Sequence, residues 1–489
     1  MTDDHAKKAT SRYDGTLNAT PNIDRIGAEG ATFRNAFVTN SICGPSRAVF
    51  LTGTYSHING VRDHSNRFDS SQTTVPKLLR EQGYFTAIVG KWHLVSKPTG
   101  FDFWKILIDQ GEYYNPNFIE MGDTSRYEGY ATNIITDLAI ETIEKRTQGK
   151  PFFLMVNEKA PHRNWMPDTA HLRLFDSSDI PQPEDFSDDY EGRARAAKEQ
   201  DLEVRNMYLS SDMKLYMPEN EPETGSGGRR TFNAKADWKK QYERLNAEQK
   251  RAWDDYYKPI SDAFYKERPE GTKLAAWKYQ RYIKDYLRCI ASVDENVGRL
   301  FEYLKKKNLL DNTLIVYTSD QGFFLGEHGW YDKRFMYEES IGIPLMMRLP
   351  SLIAPGIDRK ELVLNLDIAP TILQIAGVAI PERMQGTSLI PLFQKEATTG
   401  WRQAIYYHYY EFPHGWHRVK RHYGIRTDRH KLIHFYNDTD EWELFDLTTD
   451  PFEMKNLYGK PESETIANAL KSQMKSLIDK YRDTTAVSE

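Results

Sequence analysis

Short unbroken apolar runs separated by helical stretches constrain this chain more than any other feature. Phe85-Thr86-Ala87-Ile88-Val89 ends at Gly90, and Phe152-Phe153-Leu154-Met155-Val156 follows Pro151. Thr313-Leu314-Ile315-Val316-Tyr317 and Pro344-Leu345-Met346-Met347-Arg348-Leu349 supply two more. A run without polar alternation suits a strand covered on both faces. Between the runs, 132–145 and 289–306 carry helical spacing; in the second, Ile290, Val293, Val297 and Leu300 recur every three or four residues. This alternation predicts an α/β fold with a mainly parallel central sheet flanked by helices.

The texture then changes twice. The stretch 184–280 is charged, tryptophan-bearing and poor in strand signals, and reads as a helical and loop insertion over the sheet edge. Within it Gly225-Ser226-Gly227-Gly228 reads as a flexible loop. From Arg402 onward, Ala404-Ile405-Tyr406-Tyr407, Tyr423-Gly424-Ile425-Arg426 and Lys431-Leu432-Ile433-His434-Phe435 are strand-like and separated by polar turns. They predict an antiparallel meander, with a final helix near 464–481. The chain thus divides into a domain over 1–400 and a smaller α+β subdomain over 401–489.

The 489 residues suffice for a large core and two such units. A net charge of −5 supplies no global field for nucleic acid, so an anionic ligand needs a local basic site. Two cysteines, Cys43 and Cys289, exclude a disulfide framework. No apolar run approaches the ~20 residues of a membrane span. The start, Met1-Thr2-Asp3-Asp4-His5, shows no signal-peptide pattern. The 29 tyrosines and 10 tryptophans fit either sugar stacking or a large aromatic core.

In open α/β sheets, sites form at the carboxyl ends of strands. Three predicted strands run into polar clusters: Lys91-Trp92-His93, Pro161-His162-Arg163 and Thr318-Ser319-Asp320-Gln321-Gly322. Asp320 beside the Gln321 amide oxygen offers hard ligands suited to Ca²⁺ or Mg²⁺. Asp3-Asp4 adds another acidic pair, and Glu327-His328-Gly329-Trp330-Tyr331-Asp332-Lys333 continues the third cluster.

Cys43-Gly44-Pro45-Ser46-Arg47, with Gly53 six residues beyond Arg47, resembles the C-x-P-S-R signature of type I sulfatases. Thr20-Pro21-Asn22-Ile23-Asp24-Arg25, Gly90-Lys91-Trp92-His93, Ala160-Pro161-His162 and Asp320-Gln321-Gly322 extend the resemblance over nearly the whole chain. It points to the alkaline-phosphatase-like superfamily. Four segments look most like bacterial N-acetylglucosamine-6-O-sulfatases. They are Pro161-His162-Arg163-Asn164-Trp165-Met166-Pro167, Trp277-Lys278-Tyr279-Gln280-Arg281-Tyr282, Arg334-Phe335-Met336-Tyr337-Glu338-Glu339 and Tyr406-Tyr407-His408-Tyr409-Tyr410-Glu411.

The resemblance implies that a maturation enzyme converts Cys43 to formylglycine, whose hydrate attacks sulfur. It implies a divalent cation, Ca²⁺ before Mg²⁺, held by Asp3, Asp4, Asp320, Gln321 and the matured Cys43. Arg47 would hold the formylglycine hydroxyl, and Lys91 and Lys333 the sulfate oxygens. His162 would act as general acid on the sugar oxygen and His93 as base on the remaining hydroxyl. The sulfated glycan would be read by Arg163, Asn164 and Trp165, and by a meander stretch including His408, Glu411, His417, Arg418, Arg421 and His422. A sulfatase for another sugar position, a phosphonate or phosphodiester hydrolase and a weakly active sulfated-glycan binder are the alternative readings. Relatives carry an apolar strand before the Asp-Asp pair and act in the periplasm or outside the cell. Only Met1 and Thr2 precede Asp3 here, so the expectation is a misassigned start; a truly short form would have a poorly formed metal site.

Overall fold

The computed structural model describes residues 1–147, 149–225, 232–394 and 399–486. The apolar runs form the strands Phe85–Gly90, Phe152–Asn157, Ile315–Thr318 and Leu345–Arg348. Phe85–Gly90 pairs in parallel with Phe103–Leu107 on one side and with Phe152–Asn157 on the other. Asn117–Glu120 and Asp123–Arg126 extend the first edge in antiparallel fashion. Gly90 lies opposite Asn157 with φ of 95°, and a Cβ there would collide with the Asn157 carbonyl oxygen. Only glycine lets this strand turn toward the site.

Met1 to Asp3 continue the sheet. The Met1 amino group donates to Val156 O at 2.7 Å, and Glu158 N donates back to Met1 O at 2.9 Å. On the other side Thr2 N donates to Thr318 O at 3.0 Å and Asp320 N to Thr2 O at 3.1 Å, a parallel bridge. Ile315–Thr318 then pairs antiparallel with Leu345–Arg348, which leads to Ala31–Phe33 and Ile357–Arg359. The middle of the sheet is therefore parallel, with antiparallel pairs at both flanks. All its central carboxyl ends open on one edge, which gathers the polar clusters that follow each strand. Behind Met1 and Thr2, a cavity of about 930 Å³ lies between Phe152–Asn157 and Ile315–Thr318, bordered also by Phe50, Val297 and Leu300.

Helix Ala131–Lys145 covers one face, setting Ile134, Ile135 and Leu138 against Val89, Leu107 and Phe118. The helix expected from 289 begins earlier, as Gly271–Lys306. Its stripe of Tyr279, Tyr282, Ile283, Tyr286, Ile290 and Val293 is buried. Each such side chain contributes about 1.5–3 kcal/mol on burial. The insertion 184–280 contains the helices Arg195–Glu199, Ala234–Glu243 and Ala247–Glu267, with no named strand among its described residues. Ser226, Gly227 and Gly228 of the expected loop lie outside the described residues.

The meander has four strands in consecutive antiparallel order: Ala404–Tyr409, His422–Thr427, His430–Phe435 and Glu441–Asp446. Helix Glu464–Tyr481 closes it with Ala467, Leu470 and Met474. Ile405, Ile425 and Leu432 share one continuous core with Phe37, Ile341 and Val363, so the meander is fastened to the larger unit by apolar packing.

Candidate active site

The parallel bridge at Thr2 sets Asp3 and Asp4 at the carboxyl edge, beside the loop that follows Ile315–Thr318. Asp4 N donates to Asp320 Oδ1 at 3.1 Å, and Asp4 takes up φ of 67° to make the turn. Oxygens of Asp3, Asp4 and Asp320 lie within 4.8 Å of one another, and all three residues are fully buried. Gln321 donates its amide nitrogen to Asp4 Oδ1, which leaves its Oε1 buried without a partner among the described residues. Three clustered carboxylates and an unsatisfied amide oxygen form a hard-oxygen donor set that fits a divalent cation of the calcium or magnesium kind.

Cys43 opens the helix Cys43–Thr52, with Ile42 extended before it. Pro45 stands in the first turn, where a missing N–H costs nothing. Cys43 Sγ donates to Asp3 Oδ1 at 3.3 Å and accepts from Gln321 Nε2 at 3.5 Å. Ser46 Oγ donates to the Asp320 carbonyl oxygen and accepts from Asn365 Nδ2 at 3.0 Å, tying the helix to the acidic loop. Arg47 donates Nε to Asp320 Oδ2 at 2.9 Å and Nη1 to Lys91 O at 2.9 Å. Lys91 bonds Asp3 Oδ2, and Lys333 straddles Asp4 at 2.7 and 2.8 Å. His162 donates Nδ1 to Arg163 O at 2.7 Å and turns Nε2 toward Asp4 Oδ2, 3.7 Å away.

The Sulfatase family profile matches residues 1–378, and one described as N-sulphoglucosamine sulphohydrolase, C-terminal, matches 326–480. The chain belongs to the sulfatase family. It is 48% identical to the N-acetylglucosamine-6-O-sulfatase of Bacteroides thetaiotaomicron, over 99% of this chain and 86% of that protein. It is 26% identical to the N-acetylglucosamine-6-sulfatase of Capra hircus, over 78% of this chain and 61% of that one. A solved structure of a protein in complex with its substrate, D-glucosamine-2-N,6-O-disulfate, superposes with a TM-score of 0.94. It is 48% identical and covers 99% of this chain and 97% of that chain.

In this sulfatase the three carboxylates face three cations, Lys91, Lys333 and Arg47. A divalent ion added to that balanced set leaves the site net positive, as an anionic ester requires. Burial and then Asp3 push the Asp320 carboxyl up to about 7. Burial also raises Asp4, although Lys333 opposes it. Burial acts on Asp3 as well, but Lys91, His162 and Arg47 together hold it well below the usual carboxylate range. The Cys43 thiol is raised by burial and by Asp3, so a thiolate is scarce at neutral pH. Burial and Lys91 lower both His93 and His162.

The residues expected to read the sugar divide into two groups. Arg163 is held by Asp212 at 2.7 and 2.6 Å and packs over Tyr208, Tyr331 and Trp416. Asn164 donates to Ser211 O at 3.2 Å and Asp237 Oδ2 at 3.1 Å. Glu411 joins His64 at 2.6 Å and Arg334. His417 lies 3.4 Å from Asp332. Arg334 and Asp332, which bind Glu411 and His417, adjoin Lys333 in the chain, whereas three others are held by partners within the core and the meander. Trp165 is fully buried on Tyr282, 4.7 Å between ring centres, because its apolar ring fills the core beneath His162. His408 is clamped between Asp483 and Tyr436, each at 2.8 Å. His422 is stacked among Phe335, Tyr407 and Tyr409. Arg421 pairs with Asp438 at 3.0 Å over Tyr436, on the same side as His408. Alternation along a strand sends neighbours to opposite faces, and a basic, aromatic composition does not reveal which face is buried.

Gln110 and His64 are absent from the expected set. Gln110 accepts from Lys91 Nζ at 2.5 Å and lies 3.0 Å from His93 Nε2. One nitrogen of His64, one of His93 and Cys43 Sγ lie within 4.8 Å of one another. Neither residue sits in a recognisable motif; only the chain's return after Phe103–Leu107 and after Cys43–Thr52 brings them in.

Proposed function

We propose that this sulfatase removes the 6-O-sulfate of N-acetylglucosamine or a closely related sulfated glucosamine, with Cys43 matured to formylglycine and Ca²⁺ in the acidic site. The observation that carries the reading is near-complete alignment, at 48% identity, with an N-acetylglucosamine-6-O-sulfatase and with a structure holding a 6-O-sulfated glucosamine. When present, the formylglycine hydrate supplies a nucleophilic hydroxyl and the cation supplies Lewis acidity toward a sulfate oxygen.

The chain's own residues do the rest. Asp3, Asp4, Asp320 and the free Gln321 Oε1 would hold the cation. Arg47, already locked to Asp320, orients the reacting group at position 43. Lys91 and Lys333 bind the sulfate oxygens as compact point charges that tolerate inversion at sulfur. His162 has one nitrogen committed to a backbone carbonyl, so only Nε2 is available to carry a proton to the leaving sugar oxygen. His93 flanks position 43. Around them Arg163 and Asn164 face the insertion, and Glu411 joins the meander to the site; these set which sugar fits.

A panel of sulfated monosaccharides given to the matured chain tests the reading. Sulfate release from N-acetylglucosamine 6-sulfate should exceed that from 2-O- and 4-O-sulfated sugars and from an aryl phosphate. Preference for any of those three would replace the proposal.

A further inference from the structure

Two imidazoles flank position 43, and their outer contacts fix opposite hydrogen-bonding roles toward it. Gln110 lies between Lys91 and His93. The Lys91 ammonium has only donors, so the Gln110 oxygen must face it, as observed at 2.5 Å. The amide NH₂ is then the group that meets His93 Nε2 at 3.0 Å. Asp109 Oδ1, on an exposed side chain, is farther from that nitrogen at 3.7 Å, so the Gln110 contact sets its role: Nε2 accepts, and the ring proton of neutral His93 sits on Nδ1. Nδ1 is buried and has no partner among the described residues.

His64 is arranged the other way. Its Nδ1 lies 2.6 Å from Glu411 Oε1. The other Glu411 oxygen accepts from Arg334 Nη1, so this carboxylate is an acceptor and Nδ1 carries the proton. His64 Nε2 is left bare, buried and without a partner among the described residues. One nitrogen of each ring lies within 4.8 Å of Cys43 Sγ, and with the other nitrogens engaged by Gln110 and Glu411, the two unpartnered nitrogens are the ones this geometry assigns to it.

We infer that His64, oriented by Glu411, accepts the hydrogen bond and the proton from an oxygen at position 43, while His93, oriented by Gln110, donates to one. The inference rests on the proposed reaction at that position. It moves the acceptor role from His93, where the sequence pointed, to His64. His64 becomes a catalytic residue; Gln110 and Glu411 are positioning residues. The step is a single proton transfer: the O–H bond at position 43 breaks, its electron pair stays on oxygen, and the proton goes to His64 Nε2.

Histidine-selective ¹⁵N NMR of the wild-type chain, with and without Ca²⁺, tests this independently of turnover. Substitution of His64 and His93 in turn assigns the signals. Both neutral rings should carry their proton on Nδ1. Gln110→Glu presents acceptors to both neighbours, so the His93 proton should move to Nε2 while His64 stays unchanged. Its kcat should fall roughly 10²-fold with KM within about twofold. His64→Phe keeps a planar ring and should lose kcat to a similar extent. A wild-type His93 protonated on Nε2, a His64 protonated on Nε2, or His64→Phe with kcat within about twofold of wild type would overturn the assignment. Failure of every sulfate ester to react would instead overturn the proposed function and leave the tautomers as a separate result.

Discussion

Replacing His162 with alanine separates leaving-group protonation from every other task of the site. Its Nδ1 is committed to Arg163 O at 2.7 Å, and Nε2 points at the acidic centre 3.7 Å from Asp4. Donation from Nε2 requires the ring to take up a second proton as the imidazolium, and the substitution removes the ring that would carry it. Lys91, Lys333 and Arg47 keep their direct ion pairs with Asp3, Asp4 and Asp320, since none of those contacts runs through His162. A positioned acid contributes about 10²–10⁴ in rate, or about 2.7–5.5 kcal/mol at 1.36 kcal/mol per decade. A sugar alkoxide needs the whole of that help, whereas a nitrophenolate leaves unprotonated. Steady-state assays on N-acetylglucosamine 6-sulfate and on 4-nitrophenyl sulfate should show at least a ~10²-fold fall for the first and a few-fold fall for the second. Equal losses on both esters would refute the role, because they would place His162 in ground-state binding or folding.

Other perturbations read the remaining parts. Lys333→Met leaves Asp4 buried without its cation and should destabilise the chelated protein by about 3–5 kcal/mol, with a smaller loss once Ca²⁺ is present; chemical denaturation with and without chelator measures both. Asp320 is held at about 7 against an ordinary value of 3.8, so between those pH values the folded chain binds more protons than the unfolded one. Metal-free stability therefore falls as pH rises through that window. Ca²⁺, which competes with the proton, should raise Tm more at pH 8 than at pH 5; an equal or reversed shift would contradict the coupling. His408→Ala removes a buried partner of Asp483 and should cost about 2–4 kcal/mol of stability while kcat/KM stays within about twofold. A large loss of activity in a stable His408 variant would return that residue to the sugar site.

The central strands were legible because a strand buried on both faces leaves an unbroken apolar run, as at Phe152–Asn157 and Ile315–Thr318. The fourth meander strand was not, since Glu441-Trp442-Glu443-Leu444-Phe445-Asp446 mixes charge with bulk, and Glu443 is nevertheless buried against Tyr337 and Ala194. Cys43, Lys91, His162 and Asp320, each of which follows the end of a predicted strand or lies in a dense motif, are brought together in the structure around Asp3 and Asp4. Gln110 and His64 depend on where loops return, which local pattern does not encode. Trp165 and His422 show the opposite case: their residue types suggest sugar contact, and the structure packs both into the core. The Glu411–Arg334–Asp332 chain links the meander to Lys333 through side chains from two distant segments, a connection that only the tertiary packing provides.

The most direct test of the account pairs two readings on the same samples. Peptide mass spectrometry gives the fraction of Cys43 in which sulfur is replaced by oxygen and two hydrogens are lost. Sulfate released from N-acetylglucosamine 6-sulfate gives the activity. Across preparations matured to different extents, activity should rise in proportion to the converted fraction and extrapolate to zero with none converted; Cys43→Ala should sit at that origin. Activity that persists in fully unconverted protein, or in Cys43→Ala, would contradict the assignment of position 43 as the nucleophile.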